Sequence, residues 1–192
     1  MNWEKSWVFS WNAWAQHHVK LVTFLSNDLV YLTILVALLT FLIVEIRVVG
    51  KPLFTTNNIR KFLFDGIVKI ALPVGLATTV SEILSRTFPR QRPFVTYPEK
   101  VHSVFLHTAD GGMPSHHTVF MIALAASTFL FSRTMSYIVA LMTLICACAR
   151  IAAGIHYPMD ILAAVVVGLL IPYLTKVVLL RLRDSLSRPK SA

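Results

Sequence analysis

At 192 residues the chain has room for one domain, and 56% hydrophobic against 14% charged residues excludes an ordinary soluble one, in which about 25% of residues are charged. The formal charge of +9 does not point to nucleic acid, because the basic residues lie between apolar runs and near the C-terminus, as they do at membrane flanks. A mean hydropathy of +0.67 fits a chain solvated by lipid.

The first twenty residues carry Glu4, Lys5, His17, His18 and Lys20, which break the basic, apolar, small order of a secretory signal. All four tryptophans, Trp3, Trp7, Trp11 and Trp14, follow i, i+4, i+8, i+11 spacing and line one face of a helix. Tryptophan favours the membrane interface, so residues 1–26 are expected to form an interfacial anchor region. Gripping substrate is the alternative role for these rings.

Five apolar stretches follow, each near the roughly 20 residues that a bilayer requires. They run from about Leu29 to Val44 (with an upstream extension through Leu21–Leu25), Phe62 to Leu84, Thr118 to Phe131, Met135 to Ala149 and Tyr157 to Leu180. The second contains Asp65, Lys69 and Glu82. Cys146 and Cys148 lie two apart inside the fourth. At that spacing their side chains point in different directions, so they read as small packing residues. The expected fold is all-α, a polytopic membrane bundle of about five transmembrane helices plus the N-terminal interfacial helix, in one domain spanning 1–192.

Orientation follows from lysine and arginine. Arg47, Lys51, Arg60 and Lys61 follow the first span, Arg133 joins the third to the fourth, and Arg181, Arg183, Arg188 and Lys190 fall in a basic tail, 181–192. By counting spans these lie on one side, which the positive-inside rule makes cytoplasmic. The opposite side receives Ser85–Ser115 and the turn around Arg150–Pro158. Three clusters meet there: Arg86 to Arg92-Pro93, Pro114-Ser115-His116-His117, and Arg150, His156 and Asp160.

Together these motifs resemble the type 2 phosphatidic acid phosphatase superfamily, whose patterns are a basic residue ahead of Arg-Pro, Pro-Ser-x-His, and Arg-x5-His-x3-Asp. The third pattern matches without a gap. The runs TFPRQRPFV, FLHTADGGMPSHHT and ARIAAGIHYPMD are similar to bacterial undecaprenyl-diphosphatases of the bacitracin-resistance type, with looser similarity over 21–180. Two positions depart from the family. Ser85 stands where the basic residue seven places before Arg92 is usual, and Arg86 is one place closer. His116 stands where Gly or Asp is usual, and its backbone N–H can serve with the side chain turned away.

The resemblance implies hydrolysis of undecaprenyl diphosphate to undecaprenyl phosphate at the outer face of a bacterial plasma membrane, recycling the cell-wall lipid carrier. His156 would be the nucleophile and His117 the acid and base. Arg92 and Arg150 would clamp the phosphate, with Arg86 or Arg90 a third contact. Charge develops on the phosphoryl oxygens during transfer, and arginine suits it because its planar, permanently charged fork donates two hydrogen bonds at once. The structural alternative for Arg86 is a pair with Glu82 one turn earlier, and Arg90 reads as a surface charge.

Ser115 precedes an apolar run and suits an N-cap, phosphate binding, or both. His156 and Asp160 are four apart, so a helix places them on one face. Pro158 suits a first turn, and Asp160 would hold one ring nitrogen while the other attacks. No cofactor or metal is expected. His102, His107, Glu99 and Asp110 in the long loop read as solvated rather than as ligands. The expected partners are an isoprenoid lipid diphosphate and membrane lipid. A phosphatase or phosphotransferase for phosphatidate, phosphatidylglycerophosphate or lipid A keeps the same chemistry. A transporter would place its ionisable groups near the midplane, whereas these gather at one surface.

Overall fold

The computed structural model describes residues 3–49, 60, 64, 66–108 and 111–187. Lys51, Lys61, Asp65, Asp110, Arg188 and Lys190, together with the expected start of the second span at Phe62, lie outside the described residues. The helices among them are α1 (Trp3–Gln16), α2 (Val19–Thr23), α3 (Leu29–Val49), α4 (Leu72–Thr87), the single turn α5 (Pro93–Thr96), α6 (His116–Thr128), α7 (Arg133–Ala152) and α8 (Pro158–Ser187). Strands are absent from the described residues.

Two wide π-turns interrupt the series. Phe24–Asp28 joins α2 to α3, and Ile67–Ala71 leads into α4. The second has a local cause: Pro73 has no N–H to return to the carbonyl four residues back, and the turn ahead of it widens.

Four helical stretches are long and apolar enough to cross a bilayer: Val19–Val44, Ile67–Thr87, Arg133–Ala152 and Pro158–Ser185. Their outward faces carry Leu35, Leu38, Leu141, Leu144, Leu162 and Leu169, all exposed, as lipid-facing helices require. The chain is a multi-pass membrane protein. The expected third span differs. Its helix, α6, has 13 residues, about 20 Å at 1.5 Å per residue, and the chain turns at Phe129–Phe131 before Ser132 caps α7 by accepting from the Met135 N–H at 3.4 Å. Instead of presenting a full lipid face, α6 is packed between α4, α7 and α8 at the centre of the bundle. Small residues line this centre, among them Ala77, Ala123, Ala125 and Ala164, and let the backbones approach closely. Buried hydroxyls such as those of Thr33 and Thr143 donate to their own helix carbonyls at 2.7 Å, so they cost the apolar interior little.

Helix α1 forms as its tryptophan spacing requires. Trp3, Trp7 and Trp14 are each about half exposed, and Trp7 stacks on Trp11 at 5.5 Å between centroids. The face behind them buries Glu4, Val8, Asn12 and Ala15. That face meets α7 and α8 and the loop segment around Val101.

Candidate active site

The α7–α8 turn carries His156. α7 ends at Ala152, Ala153 caps it, and Gly154 takes φ +76°, a left-handed conformation open to glycine at little cost. Space enforces the same choice, since a Cβ there would lie 2.6 Å from Val101 Cγ1 and 2.9 Å from Asn12 Nδ2. After the turn Pro158 opens α8. Asp160, in the third helical position, accepts the Tyr157 N–H through Oδ2 at 2.8 Å, the backward half of a capping box. His156 is thereby held between two helix ends, 1% exposed.

Its ring is oriented by backbone. Nδ1 lies 2.9 Å from the Gly112 carbonyl and 3.6 Å from Asp160 Oδ2. A carbonyl can only accept, so Nδ1 carries the proton. Arg92 Nη1 donates to the Ile155 carbonyl at 3.1 Å and toward His156 Nε2 at 3.3 Å. An arginine can only donate, so Nε2 keeps its lone pair, and the tautomer is assigned from both partners. Burial, then the charges of Arg150 and Arg92, lower the His156 pKa well below 6.5, which keeps the ring neutral.

Asp160, expected to hold the imidazole, lies within ion-pair distance of Nδ1, but the Gly112 carbonyl makes the closer contact. Asp160 Oδ1 accepts from Arg90 Nη1 at 2.9 Å, and its Oδ2 accepts from the backbone. Gly112 cannot be larger without displacement, because a Cβ would lie 3.2 Å from the Arg90 carbonyl and 3.3 Å from Arg92 Cγ.

Arg150 is 2% exposed. Its Nη1 donates to the Ser26 carbonyl at 3.0 Å, and its Nε has no hydrogen-bond partner. The Ser26 carbonyl comes from the Phe24–Asp28 π-turn and also receives Cys146 Sγ at 3.5 Å. An unpaired donor on a buried guanidinium is costly, and an anionic oxygen would satisfy it.

His117 stands in the first turn of α6, ahead of the apolar run that begins at Thr118. Burial, then Arg150 and His156, lower its pKa to about 3. Ser115 occupies the N-cap position of α6 in extended conformation, but its side chain caps no N–H and instead accepts from Thr118 Oγ1 at 3.1 Å. Its own N–H donates to the Asp160 carbonyl at 3.2 Å, tying α6 to α8. The His116 side chain turns away from the cluster, with Nδ1 2.8 Å from Ser81 Oγ and Nε2 3.4 Å from Glu82 Oε2.

Arg92, Arg150, His117, His156 and Asp160 thus converge, and the Ser115 N–H is tied to them through the Asp160 carbonyl. Arg86 does not join them. It is 78% exposed and donates from Nε to Glu82 at 2.6 Å, the i,i+4 pair that its position allows. Arg90 is no surface charge: it bridges Asp160 and Glu4 Oε2, the latter at 3.0 Å, and lies 4.2 Å over the Tyr157 ring. Among the described residues no three His, Cys, Asp or Glu side chains gather where they could hold a metal ion.

A cavity of about 310 Å³ opens beside His117 between α3, α4 and α6, lined by Val30, Ile34, Thr78, His116, His117 and Phe120. A larger one of about 770 Å³, lined by Lys69, Ser127, Pro172, Tyr173 and Arg183 among others, lies at the opposite ends of α6 and α8 from the histidines.

Fold and site define a multi-pass, all-helical membrane protein with a buried arginine and histidine cluster at one end of its bundle. The family model of the PAP2 superfamily matches residues 66–184, and the chain belongs to that superfamily, as the motif order implied. It is 30% identical over 119 residues to the undecaprenyl-diphosphatase BcrC of Bacillus subtilis (strain 168), covering 62% of this chain and 58% of that protein. It is 29% identical over 106 residues to the putative undecaprenyl-diphosphatase YbjG of Escherichia coli (strain K12), covering 54% of this chain and 52% of that one. The chain therefore spans little more than half the length of these curated relatives. In fold it is similar to the first transmembrane PAP2 type phosphatidylglycerolphosphate phosphatase from Bacillus subtilis, with TM-score 0.59, 16% identity and coverage of 98% of this chain and 87% of the other. It is similar also to Aquifex aeolicus LpxE, with TM-score 0.52, 18% identity and coverage of 82% and 93%.

Proposed function

We propose that this protein is a lipid phosphatase that hydrolyses undecaprenyl diphosphate to undecaprenyl phosphate and phosphate, at the outer face of a bacterial plasma membrane. The observation that carries the chemistry is the His156 ring. With Nδ1–H held by the Gly112 carbonyl at 2.9 Å, Nε2 presents its lone pair beside the Arg92 guanidinium. The names of the relatives and the run of motifs support the substrate. The apolar cavity beside His117 supports a lipid whose first chain segment leaves the site between α3 and α4.

In the first step His156 Nε2 attacks the terminal phosphorus, an N–P bond forms, and the bond to the bridging oxygen breaks. His117 donates a proton to the departing lipid phosphate. In the second step His117 takes a proton from water, the oxygen attacks phosphorus, and the N–P bond breaks to release phosphate and restore neutral His156. Arg92 and the unpaired Arg150 Nε–H balance charge on the equatorial oxygens. The low pKa of His117 reflects burial and neighbouring positive charge. A phosphate dianion in the cluster reverses the sign of that field and raises it toward the range of a general acid.

Phosphate release from undecaprenyl diphosphate, farnesyl diphosphate and phosphatidate in detergent tests this reading. Undecaprenyl diphosphate is expected to turn over fastest, with activity abolished in His156→Ala and unchanged by chelator. Equal or faster turnover of phosphatidate would overturn the substrate, activity in His156→Ala would overturn the nucleophile, and loss with chelator would overturn a metal-free reaction.

A further inference from the structure

Glu4 and Asn12 are the polar residues on the buried face of α1, 7% and 1% exposed. An anchoring helix needs only its tryptophan face, and an apolar inner face would pack at no electrostatic cost. Burying a carboxylate and an amide is costly unless each is paired, so their partners reveal what the face serves. Glu4 Oε1 accepts the Met159 N–H at 3.1 Å, one of the open donors at the start of α8, and Oε2 accepts from Arg90 Nη2 at 3.0 Å. Arg90 passes through to Asp160 at 2.9 Å. Eight residues along the same face, Asn12 Nδ2 donates to the Ala152 carbonyl at 2.9 Å, at the last residue of α7, while its Oδ1 accepts the His102 N–H at 2.9 Å.

One face of one helix therefore grips both ends of the turn that carries His156. We propose that α1 is a brace for this turn, with Glu4, Asn12 and Arg90 as positioning residues that set where the His156 ring stands relative to Arg92 and Gly112. Arg90 is suited to the link because one planar fork serves two carboxylates on different helices, which a lysine cannot do with the same geometry. The inference rests on the proposed role of His156 as nucleophile, and it turns the N-terminal helix from an anchor into part of the machinery that aligns the reaction.

Glu4→Gln, Arg90→Met and Asn12→Ala, made in the full chain, test it. Each is expected to lower kcat about 10- to 100-fold, the range that follows from displacing a reacting group by about 1 Å. KM and the inhibition constant of inorganic phosphate should change less than kcat, because Arg150 stays anchored on the Ser26 carbonyl outside the turn, whereas Arg92 shares the Ile155 carbonyl with it. The double variant Glu4→Gln with Arg90→Met should lose no more than the worse single one, as members of one network do. Hydrogen exchange of the peptide covering 152–160, measured without substrate, should quicken in all three. Unchanged kcat with unchanged exchange would overturn the brace, as would losses that fall equally on KM, the phosphate inhibition constant and the melting temperature. Should the parent turn over none of the lipid phosphates, the functional reading fails, and the exchange comparison alone decides the brace.

Discussion

Asp160→Asn separates two ways of fixing His156, the proposed nucleophile. Where a carboxylate alone holds the Nδ1 proton, the amide replacement stabilises the wrong tautomer and lowers kcat about 10⁴-fold. Here the proton goes to the Gly112 carbonyl at 2.9 Å, and Asp160 Oδ2 stands off at 3.6 Å, so the tautomer survives the change. What is lost is the charge-assisted bond from Arg90 at 2.9 Å. An asparagine oxygen turned toward the Tyr157 N–H leaves its NH2 facing the guanidinium, two donors in opposition. A charge-assisted hydrogen bond contributes about 1.5–3 kcal/mol, and Asp160 is fully buried, so most of that should appear as lost stability. The effect on the site is a shift of the turn, and kcat should fall only about 10- to 100-fold. The assay is phosphate release at saturating lipid, with thermal unfolding measured on the same preparation. A loss near 10⁴-fold at unchanged stability would refute the reasoning and return Asp160 to direct contact with the ring.

Arg86→Ala should leave kcat/KM within about twofold and stability within about 1 kcal/mol, since its pair with Glu82 is exposed, whereas Arg92→Met should abolish turnover; phosphate release on both variants checks the contrast. Gly112→Ala should lower kcat about 100-fold and raise KM in the same assay, because the added Cβ meets the Arg90 carbonyl and Arg92 Cγ and moves both a proposed phosphate ligand and the acceptor of the His156 ring proton. The His156 pKa is lowered below 6.5, so the unfolded chain takes up this proton near pH 6.5 while the folded one does not. The stability contribution is present above pH 6.5 and falls as pH drops toward the folded value. Melting temperature should therefore decline on acidification before kcat/KM, corrected for folded enzyme, shows protonation of His156.

The side-chain half of the site was legible in the sequence because its spacing is covalent. His156 and Asp160 sit four apart across the start of a helix that Pro158 announces, and Arg150 closes the helix before the turn. Arg92 and His117 reach the cluster because the bundle returns their ends to one surface, which counting spans anticipates. The backbone half left no pattern to read. The Gly112 carbonyl owes its role to a tight loop path, in which a Cβ on Gly111 would lie 2.5 Å from the Ser85 carbonyl oxygen, and the Gly-Gly pair at 111–112 is a weak trace of it. The Ser26 carbonyl becomes available through a π-turn that no proline or glycine in that stretch marks. Arg86 and Arg90 show the same limit from the other side. Both precede Arg92 and either could face the site, and the choice depends on Glu82 capturing one while Glu4 and Asp160 capture the other. Glu4 and Asn12 were obscured by the tryptophans of the same helix, whose periodicity defines the outer face and says nothing of the inner one. The shortness of α6 likewise depends on a turn at Phe129–Phe131 inside an unbroken apolar run.

Trapping the intermediate tests the central claim most directly. The protein is mixed with undecaprenyl diphosphate labelled in its terminal phosphate, quenched in base within one turnover, and digested for mass spectrometry. A phosphate on His156, stable in base, lost in acid and missing from His156→Ala, is the predicted result. A label carried by another residue, or full turnover by His156→Ala, would contradict it.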